Sequence, residues 1–493
     1  MGNSSDNNVY KNYIDGKWVA TPDTFGIINP ATEDIVAEAP NGTREDMKMA
    51  IAAARRAFDK GPWRQTTPQD RSKILHRIAD LLHERRREFR KLLIETHGCE
   101  WVTHYINLKM PVQLLRYYAD LALRFEFDQM LPLGTAPTQN GTMAVSSMVH
   151  RQPVGVCGLI PTWNFPLYVT VQKFGPLIAA GCTGVTKPSP FGPLVDLLFA
   201  ELVEEAGVPA GVYNVVAGES PDLGIELAES PSIDKISFTG SVETGKRIMS
   251  SAAATLKRVH LELGGKSANL ILDDWNLNEA APYAASPAFF HAGQGCAMNT
   301  RVLVSRARHD ELVEKMSVFV QAFVQIGDPN DKSVMLGPLI REERRAAVEK
   351  YISTGKADGA RLVCGGRRPE HLKKGYFLEP TIFSNVTNDM RIATDEIFGP
   401  VVSVIPYDSV EEAVQIANDS SFGLFGGILT KDTARAIEIA KQIRTGGVSI
   451  GGALNLLEAP FGGFKQSGIG RECGEFGLHE YLEVQAISWG SGG

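Results

Sequence analysis

Residues 154–187 read VGVCGLIPTWNFPLYVTVQKFGPLIAAGCTGVTK, and this stretch decides the fold class. Short apolar runs separated by longer helical patterns predict strands that alternate with helices. The pattern continues downstream and predicts strands over 154–160, 184–187, 212–216 and 233–238, and helices over 167–180 and 194–206. Alternation of this kind predicts an α/β fold in which helices cover the faces of a parallel sheet.

Chain length and charge limit the organisation and the partners. The 493 residues exceed what one hydrophobic core usually organises, which predicts two large domains and a smaller element. Lys and Arg number 50 and Asp and Glu number 57, so the formal net charge is −7. This balance offers no basic excess for nucleic acid or an anionic membrane. A small neutral or weakly charged partner fits better.

The cysteines indicate a reducing compartment. They are Cys99, Cys157, Cys182, Cys296, Cys364 and Cys473. Because they form no CxxC pair or regular spacing, we expect neither a metal site nor a disulfide framework. The start, MGNSSDNN, lacks the basic and apolar regions of a signal peptide, and Asp6 breaks the myristoylation motif that Gly2 suggests. With no apolar run long enough to cross a bilayer, we expect a cytoplasmic protein.

Residues 289–296, FFHAGQGC, present one thiol after an aromatic and glycine-rich turn. Small neighbours would let a flat electrophile reach the sulfur of Cys296, and backbone N–H groups could face an oxyanion beside it. A lone cysteine is more often a buried, inert thiol. The nucleophilic interpretation therefore depends on the surrounding motifs.

Six further segments support that interpretation by their order and spacing. They are PTWNFP at 161–166, KPSP at 187–190, FTGS at 238–241 with Gly245, ELGGK at 262–266, EIFGP at 396–400 and PFGGFKQSG at 460–468. Together with Cys296, they make the chain resemble the NAD(P)-dependent, non-acylating, bacterial-type members of the aldehyde dehydrogenase superfamily over nearly its whole length. The resemblance implies a Rossmann-like parallel-sheet cofactor domain, a second α/β catalytic domain and a small β oligomerisation arm.

The domain boundaries follow from the same resemblance. We expect the dinucleotide-binding domain over 1–130 and 150–263, the catalytic domain over 264–465, and the arm over 131–149 and 476–493. Strand-like alternation over 141–149 and 481–489 belongs to the arm, which in this family builds homodimers and homotetramers. The alternative is an edge hairpin in a monomer, although an exposed strand edge normally needs cover.

The turn from Gly240 to Gly245 follows a predicted strand and opens a helix, a geometry that suits a phosphate oxygen. Alone it is weak, because it lacks the GxGxxG spacing of the common dinucleotide fingerprint. The resemblance implies a nicotinamide dinucleotide held by Ile160, Trp163, Lys187, Gly240, Ser241, Gly245, Leu263, Glu396 and Phe398. Pro190 stands where the family often has Glu; because proline would not repel a 2′-phosphate, we predict NAD as the main cofactor with NADP tolerated.

The resemblance also assigns the chemistry. Cys296 would add to the aldehyde carbon, and the Asn164 amide and the Cys296 backbone N–H would stabilise the oxyanion. After hydride transfer, Glu262 would act as general base for hydrolysis of the thioester, and its apolar strand should raise its pKa. Lys173 and Glu472 match positions linked to proton relay, although they could equally form a salt bridge that anchors the C-terminal segment.

The substrate is predicted to be a medium or bulky apolar aldehyde, aromatic or terpenoid, that is oxidised to the carboxylate. By resemblance the pocket is lined by Phe165, Val169, Gln172, Phe290, Gly295, Ala297 and Phe461. Gln172 replaces a frequent Trp and Gly295 removes a side chain, so we expect a wide pocket whose aromatic rings favour an apolar guest. The absence of Lys and Arg from this set speaks against a semialdehyde acid.

Two other functions stay open at this point. A CoA-acylating aldehyde dehydrogenase would release the acyl group to CoA instead of water, but that subgroup generally lacks the base that Glu262 provides. A non-enzymatic scaffold protein derived from a dehydrogenase would have no need for Cys296, Glu262, Asn164 and Lys187 together.

Overall fold

The computed structural model describes residues 9–139 and 141–490. The predictions for the N-terminal eight residues, and the parts of the predicted arm at Asn140 and 491–493, lie outside the described residues. The strands are β1 (Asn12–Ile14), β2 (Lys17–Val19), β3 (Thr24–Ile28), β4 (Ile35–Pro40), β5 (Asp128–Met130), β6 (Gly134–Thr138), β7 (Gly141–Pro153), β8 (Val156–Ile160), β9 (Thr183–Thr186), β10 (Tyr213–Val215), β11 (Lys235–Thr239), β12 (Arg258–Glu262), β13 (Ser267–Ile271), β14 (Asn299–Ser305), β15 (Arg361–Cys364), β16 (Thr381–Ser384), β17 (Val401–Tyr407), β18 (Phe422–Gly423), β19 (Gly426–Leu429), β20 (Ser449–Ile450), β21 (Phe464–Lys465), β22 (Gly468–Ile469) and β23 (Leu482–Gly490).

The helices connect and cover these strands. They are α1 (Arg44–Lys60), α2 (Pro68–Glu84), α3 (Arg86–His97), α4 (Glu100–Val102), α5 (Met110–Arg124), α6 (Pro166–Ala180), α7 (Leu194–Glu205), α8 (Asp222–Glu229), α9 (Val242–Ala252), α10 (Leu277–Phe289), α11 (His309–Phe323), α12 (Glu342–Ala357), α13 (Arg391–Thr394), α14 (Val410–Asn418), α15 (Thr433–Ala440) and α16 (Gly474–His479). Thr103–Lys109 forms a π-helical segment between α4 and α5, and a tight turn over Phe290–Gly293 follows α10. Among the described residues, no helix combines the length and the hydropathy that a membrane span requires.

The first sheet has eight strands in the order β2-β1-β10-β9-β8-β11-β12-β22. The five central strands, β10, β9, β8, β11 and β12, run parallel to one another. Helices α6 and α7 pack on it around a core that includes Leu159, Phe174 and Tyr213. All six elements predicted between residues 154 and 238 are present, with ends displaced by one or two residues. The predicted α/β class is therefore confirmed.

The second sheet has seven strands in the order β15-β16-β17-β14-β13-β19-β20. It is parallel except at β15, which pairs antiparallel with β16. Its central strands are buried on both faces, as expected for apolar runs such as Val302–Val304. Helix α10 packs against this sheet, and the chain then turns back through Phe290–Gly293 toward the first sheet.

A separate four-stranded antiparallel sheet is built around β7, with β23 on one side and β5 and β6 on the other. The pairing of β7 with β23 runs from Pro153 opposite Leu482 to Val145 opposite Gly490. This sheet includes β5 and residues 150–153, which the predicted boundaries assign to the cofactor domain. Helix α16 lies inside the predicted arm but packs on α6. The arm is thus a sheet of four strands rather than two ribbons.

The sequence favours one long helix that begins at Pro68 and carries a solvated basic face around Arg85–Arg90. The beginning is as expected, because Thr67 and Asp70 form a capping box ahead of α2. The helix ends at Glu84, however, and α3 begins at Arg86. Arg85 donates to Glu201 at 2.6 Å, so this part of the basic run is tied to α7 by an ion pair.

Candidate active site

Cys296 follows a backbone turn with three successive residues in the left-handed region. His291, Ala292 and Gly293 have φ values of 51°, 53° and 70°. Such values are unfavourable for residues with a side chain and persist only where packing enforces them. A Cβ at Gly293 would overlap the carbonyl of Gly399, which explains the glycine. The tight turn brings Cys296 into the wall of a cleft between the two large sheets.

That cleft has a volume of about 370 Å³. Its lining residues are Thr162, Trp163, Asn164, Phe191, Thr239, Gly240, Ser241, Glu262, Leu263, Gly264, Cys296, Ile340, Arg341, Glu343, Arg344, Glu396 and Phe398. Six of the nine residues predicted for the cofactor are among them, namely Trp163, Gly240, Ser241, Leu263, Glu396 and Phe398. The cleft lies where β8, β9, β11 and β12 end, which is the usual ligand position in an open parallel sheet.

The other three predicted cofactor residues lie behind or beside this lining. Ile160 is the last residue of β8, and Lys187 directly follows β9. Burial lowers the pKa of Lys187 to about 8. Gly245 lies in the second turn of α9, where a Cβ would approach Leu263 Cδ2 to 2.7 Å. Gly245 therefore acts through Leu263, since it lets that side chain pack beneath α9.

Glu396 and Phe398 enter the cleft from the second sheet. The Glu396 carboxylate accepts a hydrogen bond from the backbone N–H of Gly265 at 3.0 Å. Burial raises the pKa of Glu396 to about 7. Phe398 has φ 53°, and its ring meets Trp163 edge to face at a centroid distance of 5.5 Å. Each of the two domains thus contributes an aromatic side chain to the wall of the cleft.

Several buried polar atoms of the cleft lining lack a hydrogen-bond partner. Among the described residues, they are Asn164 Oδ1, Thr239 Oγ1, both carboxylate oxygens of Glu262 and Arg344 Nε. Buried polar groups are normally satisfied, and an exception calls for a partner that the protein itself does not supply. A Cβ at Gly264 would collide with Glu396, so the glycine also keeps this wall open. Ser241 caps the helix that starts here, as the predicted phosphate turn requires.

Burial determines the state of the Cys296 thiol. It raises the pKa of Cys296 to about 12, and the nearby carboxylates of Glu396 and Glu262 add to the effect. The raised pKa favours the neutral thiol over the thiolate. A nucleophilic reaction requires a base or a positive charge beside it, because the thiolate is the reactive form.

Asn164 is fixed to the turn that carries Cys296. Its side chain is buried, and Nδ2 donates to the Gln294 carbonyl at 2.8 Å. Gln294 is anchored in turn, since its side-chain oxygen accepts from the N–H of Ile340 at 2.9 Å. The amide and the thiol are thus held on one scaffold, both facing the cleft.

Glu262 ends β12 and is buried in the cleft wall. Burial, together with Glu472, raises its pKa well above the ordinary value. Lys173 and Glu472 are nearby and joined to each other, with Lys173 Nζ 2.6 Å from Glu472 Oε1. One member of this group has no counterpart in the sequence predictions: His260 lies two residues before Glu262 on the same face of β12.

A second cavity, of about 590 Å³, opens on the other side of Cys296. Its lining residues are Trp101, Ile106, Asn269, Pro282, Tyr283, Ser286, Pro287, Phe290, Ala297, Met298, Asn299, Phe425, Gly427, Ile428, Leu429, Ser449, Gly452, Ala453, Leu454, Asn455 and Phe461. Phe290, Ala297 and Phe461 are predicted pocket residues. Cys296 lines the first cleft and its neighbour Ala297 lines this cavity, so the two spaces approach each other at these residues.

Four predicted pocket residues are not among the residues lining this cavity. Phe165 packs its ring against His291 at a centroid distance of 5.2 Å. Val169 is buried in α6, and Gln172 donates to the sulfur of Cys473 at 3.2 Å. Gly295 faces Met298. Much of the observed lining instead comes from distant segments, such as Trp101 of α4, whose ring meets Phe290 at 4.6 Å. No local motif marks these residues.

Within residues 9–139 and 141–490, no group of three or more His, Cys, Asp and Glu side chains could hold a metal ion. The groups that line the cleft include the Cys296 thiol, the Asn164 amide and the carboxylates of Glu262 and Glu396. Two parallel-sheet domains with this set at their junction are typical of an enzyme that combines a dinucleotide cleft with a reactive side chain.

Comparison with known proteins gives the family. The profile of the aldehyde dehydrogenase family matches residues 18–487. The chain is 42% identical to 3-succinoylsemialdehyde-pyridine dehydrogenase from a Pseudomonas species, over 96% of this chain and 97% of that one. It is 40% identical to betaine aldehyde dehydrogenase from Bacillus subtilis, over 96% of each chain.

Comparison with a solved structure indicates the same family. It is a mutant of aldehyde dehydrogenase C from Pseudomonas syringae in complex with NAD+ and octanal. That protein superposes with a TM-score of 0.92 at 39% identity, covering 99% of this chain and 98% of its own. The chain belongs to the aldehyde dehydrogenase family, and the prediction of an aldehyde-oxidising enzyme is confirmed at this level.

Proposed function

We propose that this enzyme oxidises a medium-sized or bulky apolar aldehyde to the carboxylate, with NAD as its main cofactor and Cys296 as the nucleophile. The observation that carries the proposal is that Cys296 lines a cleft of about 370 Å³ while its neighbour Ala297 lines a largely apolar cavity of about 590 Å³. One side suits a dinucleotide and the other suits the body of an aldehyde.

NAD, when bound, supplies the acceptor for the hydride. Ser241 and Gly240 at the start of α9 would hold a phosphate, and Glu396 and Phe398 would meet the nicotinamide half. Aldehyde dehydrogenase C, which shares this fold, was crystallised with NAD+. Since residue 190 is proline, we expect NADP to be used as well but less well. Initial rates with the two cofactors test this, and strict NAD dependence would contradict the tolerance.

In the first step Cys296 Sγ forms a bond to the carbonyl carbon and the C=O π pair moves to oxygen. The Asn164 amide and the Cys296 backbone N–H donate to that oxyanion. The thiol must lose its proton to react, and Glu262 in the same cleft is the base whose raised pKa suits that task near neutrality. Departure of the hydride from the same carbon then leaves a thioester on Cys296.

In the second step a water molecule attacks the thioester carbon. Glu262, once it has passed on the thiol proton, takes one proton from the water as its oxygen bonds to carbon; the C–S bond breaks, and the carboxylic acid leaves with Cys296 released as the thiolate. A CoA-acylating enzyme would not need this base. The buried carboxylate of Glu262 in the cleft wall therefore favours hydrolysis, and CoA dependence of product formation would contradict it.

The lining of the larger cavity supports an uncharged substrate. None of the described residues that line it is Lys, Arg, Asp or Glu. Aromatic side chains, including Trp101, Tyr283, Phe425 and Phe461, supply much of the wall. Aldehyde dehydrogenase C was crystallised with octanal, and the Pseudomonas relative is named for a pyridine-bearing semialdehyde. An aromatic wall can also hold a quaternary ammonium group, so betaine aldehyde is the competing substrate.

A substrate panel tests the proposal. We would measure kcat/KM with NAD for benzaldehyde, octanal, citral, betaine aldehyde and succinic semialdehyde. We expect the three apolar aldehydes to be oxidised at least about tenfold more efficiently, a difference of about 1.4 kcal/mol in transition-state binding. A preference for betaine aldehyde or succinic semialdehyde would overturn the substrate class. Failure of every aldehyde to reduce NAD would favour the scaffold alternative.

We further propose that the enzyme assembles as a homodimer or homotetramer through the arm sheet. Large apolar side chains of this sheet are exposed in the single chain, among them Met130, Met143, Val484 and Trp489. Patches of this kind usually mark an interaction surface. A reducing, cytoplasmic location suits the free Cys296 thiol.

A further inference from the structure

His260 occupies a position between the two buried carboxylates near Cys296. It is the third residue of β12 and is 1% exposed. Because successive side chains of a strand alternate, His260 and Glu262 project from the same face. On the neighbouring strand β11, Ser237 lies directly opposite His260.

Each ring nitrogen of His260 faces one of the carboxylates. Nε2 is 3.4 Å from Glu262 Oε1, and Nδ1 is 3.7 Å from Glu472 Oε1. Nδ1 is also 3.1 Å from the Ser237 hydroxyl. Lys173 joins the far side of this chain of groups, with Nζ donating to Glu472 at 2.6 Å and to Ser237 at 3.0 Å. A continuous polar path therefore runs from Glu262 through His260 to Lys173.

The contact between His260 and Glu262 is incomplete. Within the described part of the chain, His260 Nε2 and both Glu262 oxygens have no hydrogen-bond partner of proper geometry. Leaving such buried groups unsatisfied is costly. At 3.4 Å, a displacement of a few tenths of an ångström would close the bond to the usual length. Gly470 leaves room for the imidazole, because a Cβ there would overlap the ring.

The charges around His260 keep its ring neutral. Burial lowers its pKa well below the ordinary value, and Lys235, Lys173 and Arg471 act in the same direction. The acidic groups near it are Glu262, Glu472 and Glu480, and Glu480 is paired with Lys235 at 2.9 Å. A neutral imidazole has one N–H donor and one acceptor nitrogen, so it can accept a proton on one side while releasing another.

We propose that His260 transfers protons between Glu262 and Glu472 during hydrolysis of the Cys296 thioester. This inference rests on the proposed function of Glu262. Glu262 takes a proton from the attacking water and passes it to Nε2 while the Nδ1 proton goes to Glu472, so one proton enters the ring and one leaves. Proton exchange with water between turnovers restores the starting tautomer. His260 is thus a positioning residue that returns Glu262 to the ionised form.

The test compares His260→Gln and His260→Asn with the wild type and with His309→Gln. Residue 309 is a buried histidine of the second domain that contacts Asp310, outside this network. Stopped-flow measurement of NADH formation reports acylation of Cys296. Measurement of carboxylic acid release reports hydrolysis of the thioester. We expect both His260 variants to keep the NADH burst and the KM values, and to hydrolyse the thioester roughly 10²-fold more slowly. The acidic limb of the kcat–pH profile should also shift.

Unchanged hydrolysis and an unchanged pH profile in a folded His260 variant would overturn the inference. Loss of the burst together with hydrolysis would indicate a structural role and overturn it too. If neither variant folds, a proton inventory of wild-type hydrolysis in mixtures of H2O and D2O decides: a curved plot supports coupled transfer, and a linear plot contradicts it. A wild type that forms no NADH with any aldehyde would refute the proposed function instead.

Discussion

At the residue scale, Cys296 carries the covalent chemistry on which the proposed function depends. Replacing it with alanine removes the nucleophile and leaves the cleft walls in place. We expect Cys296→Ala to lower kcat by roughly 10⁴-fold or more. NAD binding, followed by quenching of tryptophan fluorescence, should be retained.

Cys364→Ala provides a matched control, because this half-buried thiol lies on β15 at the edge of the second sheet. It should keep wild-type activity. Residual turnover near the wild-type rate in Cys296→Ala would eliminate residue 296 as the nucleophile.

Glu262 should affect stability in a way that depends on pH. Burial raises its pKa above the ordinary value of 4.5, so the folded state holds a proton that the unfolded state has lost. The stabilisation is complete below pH 4.5 and is lost as the pH rises through the raised pKa of the folded state. Glu262→Gln stays neutral throughout. We therefore expect its Tm to approach that of the wild type near pH 4.5 and to exceed it increasingly toward pH 8.

The pKa of His260 is lowered, which makes stability change with pH in the opposite direction. The contribution of His260 to stability is nearly the same in the wild type and in Glu262→Gln. It therefore largely cancels when the two proteins are compared. Thermal unfolding in buffers from pH 4.5 to 8 measures the difference. A Tm difference independent of pH would show that Glu262 ionises normally.

Sequence motifs located the residues of the cleft better than those of the larger cavity, for a physical reason. Cys296, Asn164 and Glu262 stand in local patterns of glycine, proline and aromatic residues that mark tight turns and strand ends. All three line the cleft. Trp101 and His260 have ordinary local surroundings, and only long-range packing of α4 and β12 brings them to the site. Positions fixed by tertiary contacts leave no periodic signal in a single sequence.

At the element scale, the junction of α9 with β12 controls one wall of the cofactor cleft. Gly245 lets Leu263 pack beneath the helix, and a Cβ would come within 2.7 Å of that side chain. Since Leu263 lines the cleft, Gly245→Ala should push it toward the cofactor. We expect KM for NAD to rise about tenfold, equivalent to about 1.4 kcal/mol, with a smaller change in kcat.

Gly224→Ala on α8 is the matched substitution, because a Cβ there meets no atom within 4 Å. It should leave KM for NAD unchanged. Equal effects of the two substitutions would mean that the cleft does not bind the dinucleotide along α9.

The helices and strands also show which features sequence patterns can predict and which they cannot. Apolar runs and helical spacing located six of the strands and helices between residues 154 and 238 to within one or two residues, but missed α8. The predicted long helix, by contrast, is interrupted at Arg85, where ψ is 11°. The helical apolar spacing gives no signal of this interruption.

At the scale of the whole molecule, the proposed site belongs to neither large sheet alone. Glu262 comes from the first sheet, Glu396 from a loop beside the second, and Cys296 from the turn between them. The two cavities approach each other at that turn, where Cys296 lines one and Ala297 lines the other. The α/β pattern predicted the two sheets. It did not predict how the two domains pack against each other, and this packing brings the edges of the sheets together.

The arm sheet gives the last prediction, because it exposes apolar side chains that a single chain does not cover. Val484 and Trp489 lie on β23 and are 63% and 44% exposed. If copies of the chain bury them against one another, a buried aspartate at either position would be costly. We expect Val484→Asp combined with Trp489→Asp to convert a dimer or tetramer into a smaller species in analytical ultracentrifugation. Val318→Asp, at an exposed apolar position of α11, should leave the assembly unchanged. A wild type that sediments as a monomer would instead identify the arm as an edge hairpin.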